Sequence, residues 1–403
     1  MKAFCRHWIV CFLLITSAHA HADALFWDTP QRGANSFNRL PPDQAYFDAL
    51  RGYGATWVRL SHDKWPAAQR DFLLGDADKY SGLVQADLQM LIATLDRAHA
   101  AGLKVVITPL SLPGMRWAQN NHGQFDDRLW QDARWWDQAG SYWADLAAAL
   151  RHHPGLAAYN LLNEPAPEKG GGMQEHASAA VMKAWYASVQ GSARDLPAFY
   201  QLVIERIRAI DPDTPIMLDA GWYASADAFS YWPAALKGSR LLYSVHMYEP
   251  YEATSAPNLT RATPHQYPGP VPFAGQIEHW DAARVRRYLQ VPLDWAIDNG
   301  LSPRQLVVGE FGCVRRLPGC RAYLEDVLQV LEKQQVHWAF YAFREDAWDG
   351  MDYELGTKAV PWSYWQAVES GTPDSLPRHA GEIFEPIARR LKAPAVPGGP
   401  PVN

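Results

Sequence analysis

Two glutamates stand at the ends of short apolar runs. Glu164 closes Leu161-Leu162-Asn163-Glu164-Pro165, and Glu310 sits in Val307-Val308-Gly309-Glu310-Phe311-Gly312. Other polar groups end similar runs: Arg59 and His62 after Trp57-Val58, Asp219 and Trp222 after Pro215 to Leu218, His246 and Tyr248 after Leu241 to Val245. Polar groups in such places are costly unless they find partners or have a task. If the runs are strands of one closed barrel, their ends converge and the two carboxyl groups face each other across a pocket. Such a pair can cleave an acetal. One carboxyl, kept protonated, donates to the leaving oxygen, while the other, kept ionised, attacks the anomeric carbon. Double displacement needs the two about 5–5.5 Å apart. Arg59 beside one glutamate would hold it ionised, and Asn163 lends a neutral hydrogen bond.

The elements that must position these groups follow from the alternation of β-rich runs with amphipathic helical runs, which predicts a parallel sheet with crossover helices. Eight strand candidates are legible: Arg32 to Phe37, Thr56 to Ser61, Lys104 to Leu110, Leu156 to Leu162, Pro215 to Leu218, Leu241 to His246, Gln305 to Glu310 and His337 to Phe343. Helical patterns lie between them at Asp43 to Gly52, Ala86 to Gly102, Trp135 to Leu150, Pro197 to Ile210, Ala282 to Asn299 and Ala322 to Gln335, with a last one at Gly381 to Leu391. The expected fold is α/β, a single-domain (β/α)8 TIM barrel. Helix-to-strand links are short, whereas 163–195, 249–280 and 346–375 are long loops following strands, the place where barrels carry their active sites.

Of the 403 residues, 48% are apolar, enough for one large core, and the net charge of −6 without basic runs excludes nucleic acid or an anionic membrane as the expected partner. Eighteen Trp exceed what a core needs; flat rings also stack on the apolar C–H faces of pyranoses. Lys2 and Arg6, the apolar Trp8 to Ile15, and Ala18-His19-Ala20 predict a cleaved signal peptide over 1–20. The mature chain would then be secreted or periplasmic, a monomer without membrane attachment, with a catalytic domain over 21–392 and a disordered tail over 393–403. Cys5 and Cys11 leave with the leader, and an oxidising destination would join Cys313 to Cys320. No HExxH-type spacing and no phosphate-binding glycine loop is present, so neither metal nor cofactor is expected. The Trp348–Glu354 stretch, with three carboxylates, reads as a loop tied by hydrogen bonds rather than a calcium cage.

"TWVRLS", "LLNEP", "SVHMYEPY" and "VVGEFG", in that order and each at a strand end, resemble glycoside hydrolase family 5, of the clan of retaining (β/α)8 glycosidases. By position, the resemblance implies Glu164 as acid/base and Glu310 as nucleophile. It implies that Asn163 bonds the sugar 2-OH, that Arg59 and Tyr248 hold Glu310, and that His246 serves the acid/base. The chain departs from the family pattern twice. "TPLSLPG" puts Leu110 or Ser111 where a His is usual, and "HWAFYAFRED" puts Tyr341 or Phe343 where a Trp platform is usual, with Trp338 pointing to the core and Trp348 able to substitute. Trp222 could stack on substrate or cap the barrel. Trp65, Trp117 and Asp219 read as structural. The substrate expected is a β-linked polysaccharide cut by an endo-β-1,4-glucanase-like enzyme. The alternatives are an exo-acting β-glycosidase or β-mannanase of the same fold and, from another class, a non-catalytic carbohydrate-binding barrel.

Overall fold

The computed structural model describes residues 26–345 and 349–393. All eight expected runs form parallel strands: β1 Arg32–Ser36, β2 Trp57–Leu60, β3 Lys104–Ile107, β4 Leu156–Asn160, β5 Ile216–Asp219, β6 Leu241–Met247, β9 Leu306–Phe311 and β10 His337–Phe340. They close in the order β1-β2-β3-β4-β5-β6-β9-β10, with β10 back on β1. An antiparallel hairpin, β7 Gly269–Phe273 and β8 Gln276–Trp280, interrupts the series inside the loop that follows β6.

Because strand side chains alternate, each strand sends one set inward and one outward. The outward set, including Val58, Leu60, Val105, Ile107, Ile216, Leu218, Val245 and Val308, joins the helices in the main core. The inward set forms two layers. The lower one takes Trp57, Val106, Ala158, Met217, Leu242, Val307 and Ala339 from seven strands, and Trp27 packs among them from below, donating from Nε1 to the Ala157 carbonyl at 3.1 Å. Gly33 makes room for this layer, since a Cβ there would fall 2.8 Å from the Trp57 indole nitrogen. Two residues further along each strand the inward layer turns polar: Asn35, Arg59, Thr108, Asn160, Asp219 and Ser244, all completely buried. This polar layer is the floor of the site.

The helices lie close to their predicted bounds. Gln44–Gly52 is capped by Asp43, which accepts from Tyr46 N at 2.9 Å, and Ala282–Asp298 by Asp281, which accepts from Arg284 N at 2.9 Å. Three helices form inside stretches expected to be loops, Ala179–Val189 after β4, the short Tyr251–Thr254 after β6 and Trp362–Glu369 after β10. The last helix starts later than expected, at Glu385–Lys392, with Pro386 in its first turn. No helix among the described residues is long and apolar enough to cross a membrane. The leader, Cys5, Cys11, Trp348 and the tail from 394 onward lie outside the described residues.

Candidate active site

Arg59 organises the floor. Its guanidinium, with no exposed surface, donates to Asn160 Oδ1 at 2.8 Å, Asp219 Oδ2 at 3.0 Å, Asn163 Oδ1 at 2.9 Å and Glu310 Oε1 at 2.6 Å, with longer bonds of 3.3 Å to Asn35 Oδ1 and Thr108 Oγ1. The planar fork thus ties β1, β2, β3, β4, β5 and β9 together and delivers one charge to the Glu310 carboxylate. Asn35 and Asn160 belong to this network and were not singled out from sequence. Their signal was available, an amide at an inward position near the C-terminal end of a strand. Asp219 is structural, as expected: it takes Arg59, Asn160 Nδ2 at 3.2 Å and the backbone N–H of Glu164 at 3.2 Å.

Glu310 receives a second bond at its other oxygen, from the Tyr248 hydroxyl at 2.7 Å. On the β6–β9 ladder a register shift between Val245 and His246 sets His246 opposite Glu310. The ring fits because Gly309 has no side chain, since a Cβ there would approach His246 Nε2 to 3.3 Å and Ser244 Oγ to 2.6 Å. His246 Nδ1 stands 2.8 Å from Glu164 Oε1 and 3.7 Å from Glu310 Oε2, and its Nε2 faces Asp219 Oδ2 at 3.5 Å. Glu164 occupies left-handed backbone (φ +49°), an uncommon conformation outside glycine that here redirects the chain after β4. One oxygen of Glu164, one of Glu310 and a ring nitrogen of His246 all lie within 4.8 Å of one another.

The two carboxyl groups differ in environment. Burial pushes the Glu164 carboxyl up to about 8, with the nearby Asp219 and Glu175 charges acting in the same direction and Arg59 against it. Burial and the Glu164 charge also raise Glu310, but Arg59 and the Tyr248 hydroxyl oppose that rise. Two carboxylates this close favour holding one proton between them, and the direct Arg59 and Tyr248 bonds keep the charge on Glu310. Burial lowers His246, leaving a neutral ring. With Asp219 beside Nε2, the proton belongs on Nε2 and Nδ1 is free to accept from Glu164.

The pair opens into a cleft of about 1310 Å³. Tyr341 lines it, with its hydroxyl on Glu345 Oε1 at 3.0 Å and its ring against Phe37. Phe343 does not: it is buried against Tyr46, so of the two candidates for the sugar platform only Tyr341 stands. Trp338 lies in the core and donates to Glu332 at 2.9 Å. Leu110 takes the cleft position where a His is usual, while Ser111 turns away to accept from Trp117 N at 3.0 Å. Trp65 is buried as expected. Trp117, expected to be structural, lines the cleft instead, with Lys64 over its ring at 5.1 Å. Trp222 also lines it, though only 7% exposed, and its loop is held by the buried Glu168, which accepts from Trp222 N at 3.0 Å. Cys313 and Cys320 form a disulfide just beyond Glu310. In the acidic stretch after β10, Asp352 pairs with Arg378, and Glu354 accepts from Arg344 at 2.6 Å and Tyr53 at 2.8 Å, the expected tied loop.

A sequence profile described as Cellulase (glycosyl hydrolase family 5) matches residues 26–347. The chain belongs to glycosyl hydrolase family 5. Curated relatives of this family 5 chain include a probable glucan 1,3-beta-glucosidase of Arthroderma benhamiae, 24% identical over 51% of this chain and 43% of the relative, and a beta-xylosidase of Phanerodontia chrysosporium, 22% identical over 67% and 52%. The chain therefore spans about half the length of the curated relatives it matches. Among solved structures, Cel5A of Thermotoga maritima in complex with cellobiose superposes with a TM-score of 0.59 at 15% identity, covering 89% of this chain and 98% of that one. The Pseudomonas stutzeri endoglucanase Cel5A with cellobiose gives 0.54 at 19% identity, covering 77% and 83%. These likenesses show a shared (β/α)8 fold.

Proposed function

We propose that this family 5 protein is an exported, monomeric, retaining glycoside hydrolase that cleaves O-glycosidic bonds of a β-linked glucan or a related β-glycan. The observation that carries this reading is the approach of a Glu164 oxygen to a Glu310 oxygen within 4.8 Å, in keeping with a double-displacement pair about 5–5.5 Å apart and short of the roughly 6.5–9.5 Å that inverting pairs keep to seat a water. Glu310, ionised by Arg59 and Tyr248, attacks the anomeric carbon as Glu164 gives its proton to the leaving oxygen. The bond from that carbon to the leaving oxygen breaks and a glycosyl ester forms on Glu310. Glu164, now charged, takes a proton from water, whose oxygen attacks the same carbon and releases Glu310. The Nδ1 of His246 faces Glu164 throughout and steadies its proton. Asn163, oriented by Arg59, meets the 2-OH of the sugar being attacked.

The names of the relatives and solved structures support a β-glycan as substrate, with a probable glucan 1,3-beta-glucosidase and an endoglucanase among them. The test is a reducing-end assay on soluble β-1,3- and β-1,4-glucans, mannan, xylan and xyloglucan. Hydrolysis of at least one is expected from the wild type, with loss in Glu310→Gln. Full activity in that variant would contradict the reading. Product sizes separate internal cuts from release of single units. For export, N-terminal sequencing of enzyme from the periplasm or medium is expected to begin near His21.

A further inference from the structure

The glutamate pair divides the barrel rim in two. Going around from β4 to β9, one side passes β5 and β6, while the other passes β3, β2, β1 and β10. Asn163 is held by Arg59 of β2, which assigns the attacked sugar to the second side and the leaving group to the loops of β5 and β6. On that leaving-group side three loops bring together charged groups that take no step in the reaction above, although one of them, Glu175, helps to raise Glu164. His176 comes from the loop after β4, Asp227 from the loop after β5, and Glu249 from the loop after β6. Glu175, next to His176, completes the set at the rim.

The cluster is built around one ring. His176 Nδ1 bonds Asp227 Oδ2 at 2.8 Å, and its face lies on Phe273 of the hairpin with centroids 4.3 Å apart. Its Nε2 stands 3.7 Å from both Glu175 Oε1 and Glu249 Oε1. That separation exceeds a hydrogen bond, so a charged donor and two carboxyl groups stand in ion-pair range with hydrogen-bonding capacity left over toward the cleft. His176, Glu175, Glu249 and Phe273 all line the same cleft as the catalytic pair. Glu249 itself is nine-tenths buried, which is costly for an ionisable group with no close partner at that oxygen. The cleft wall beside it includes Trp222, whose buried indole N–H has no partner among the described residues. Despite the cost of burial, the three carboxylates raise the proton affinity of His176 to about 9, so it is a cation at neutral pH.

We infer that His176, Glu249 and Glu175 form the subsite for the first sugar of the leaving group, a neutral polyhydroxyl residue. This rests on the glycosidase reading above. A hydroxyl is donor and acceptor at once, so one sugar OH lying on the cleft side of the pair can accept from His176 Nε2 and donate to a carboxylate, bridging the two from the side. With one imidazolium among the three carboxyl groups of Asp227, Glu175 and Glu249, the subsite offers no net positive charge to attract uronic acids. Asp227 is a positioning residue, fixing the ring from behind. The hairpin tip carrying Phe273 sits against the ring and supplies the apolar surface a pyranose also needs.

The experiment compares two leaving groups. The kcat/KM of an oligosaccharide that the wild type cleaves is divided by that of a cyclohexylmethyl β-glycoside of the same sugar, whose leaving alcohol needs the same proton from Glu164 but offers no hydroxyls. This ratio does not depend on the fraction of enzyme correctly folded. It is expected to fall at least tenfold in His176→Gln and Glu249→Gln, and severalfold in Glu175→Gln, which lies at the exposed rim and carries little folding risk. Ratios within twofold of wild type in all three variants overturn the subsite. A wild type inert on both substrates overturns the glycosidase reading, and this one with it.

Discussion

Arg59 Nη1 and Glu310 Oε1 meet at 2.6 Å, although they come from β2 and β9, which β1 and β10 separate around the barrel. The contact is buried on both sides, so the charge it holds is little screened by solvent. Every nitrogen of the guanidinium is committed to the polar floor, which leaves Arg59 no alternative pose.

Arg59→Lys keeps the charge but removes the fork. Asn160, Asn163 and Asp219 each lose a donor, and the Glu310 carboxylate loses its directed partner. The expected result is a fall in kcat/KM on the order of a hundredfold or more. The acid limb of the pH profile should also move to higher pH, because a less stabilised carboxylate binds its proton more tightly. Steady-state kinetics across pH on a soluble substrate measures both.

The same electrostatics set the wild-type pH profile. Glu164 must carry its proton to act as the acid, and its affinity is raised to about 8, so kcat/KM is expected to decline as pH rises through about 8. Glu310 must be ionised. Burial raises it above the ordinary carboxylate value, so the acid limb should lie above 4.5. The two limbs belong to the coupled pair rather than to either residue alone. An enzyme fully active at pH 10 would contradict the assignment of the proton to Glu164.

The Cys313–Cys320 bridge closes a short loop, so its contribution is modest, about 2–3 kcal/mol on the chain-entropy scale. Cys313→Ser with Cys320→Ser is expected to lower the melting temperature by several degrees. Activity at 25 °C should stay within a few-fold of wild type, because no group on Glu310 is supplied by the bridge. Thermal denaturation with and without reductant measures the effect.

Much of this was legible in the sequence. The eight barrel strands could be read because Val106, Ile107, Val307 and Val308 belong to runs bounded by clear turn residues. The residues of the candidate site could be read because Glu164, His246 and Glu310 each stand at or near the end of such a run. The hairpin was not legible. Pro270 and Pro272 fall two apart in β7 and weaken the strand signal, although alternate positions place both missing N–H groups on one edge of the ribbon. The role of Trp117 was hidden as well, because a single Trp in a loop gives no period that tells cleft from core. His176, Asp227 and Glu249 lie far apart along the chain, and only the loop geometry of three barrel units brings them together. The polar floor is a different case: Asn35 in "RGANSF" and Asn160 in "AAYNLL" lie near strand ends, and the inward alternation of a barrel predicts where they point.

The most direct test of the account is to trap its covalent intermediate. Incubation with a 2-deoxy-2-fluoro β-glycosyl fluoride of the sugar that the enzyme accepts slows both chemical steps, while the fluoride leaves without help. Peptide mass spectrometry is expected to find one glycosyl adduct, on Glu310, with activity lost in step with labelling. Turnover without any adduct, or an adduct on another residue, would contradict double displacement through Glu310.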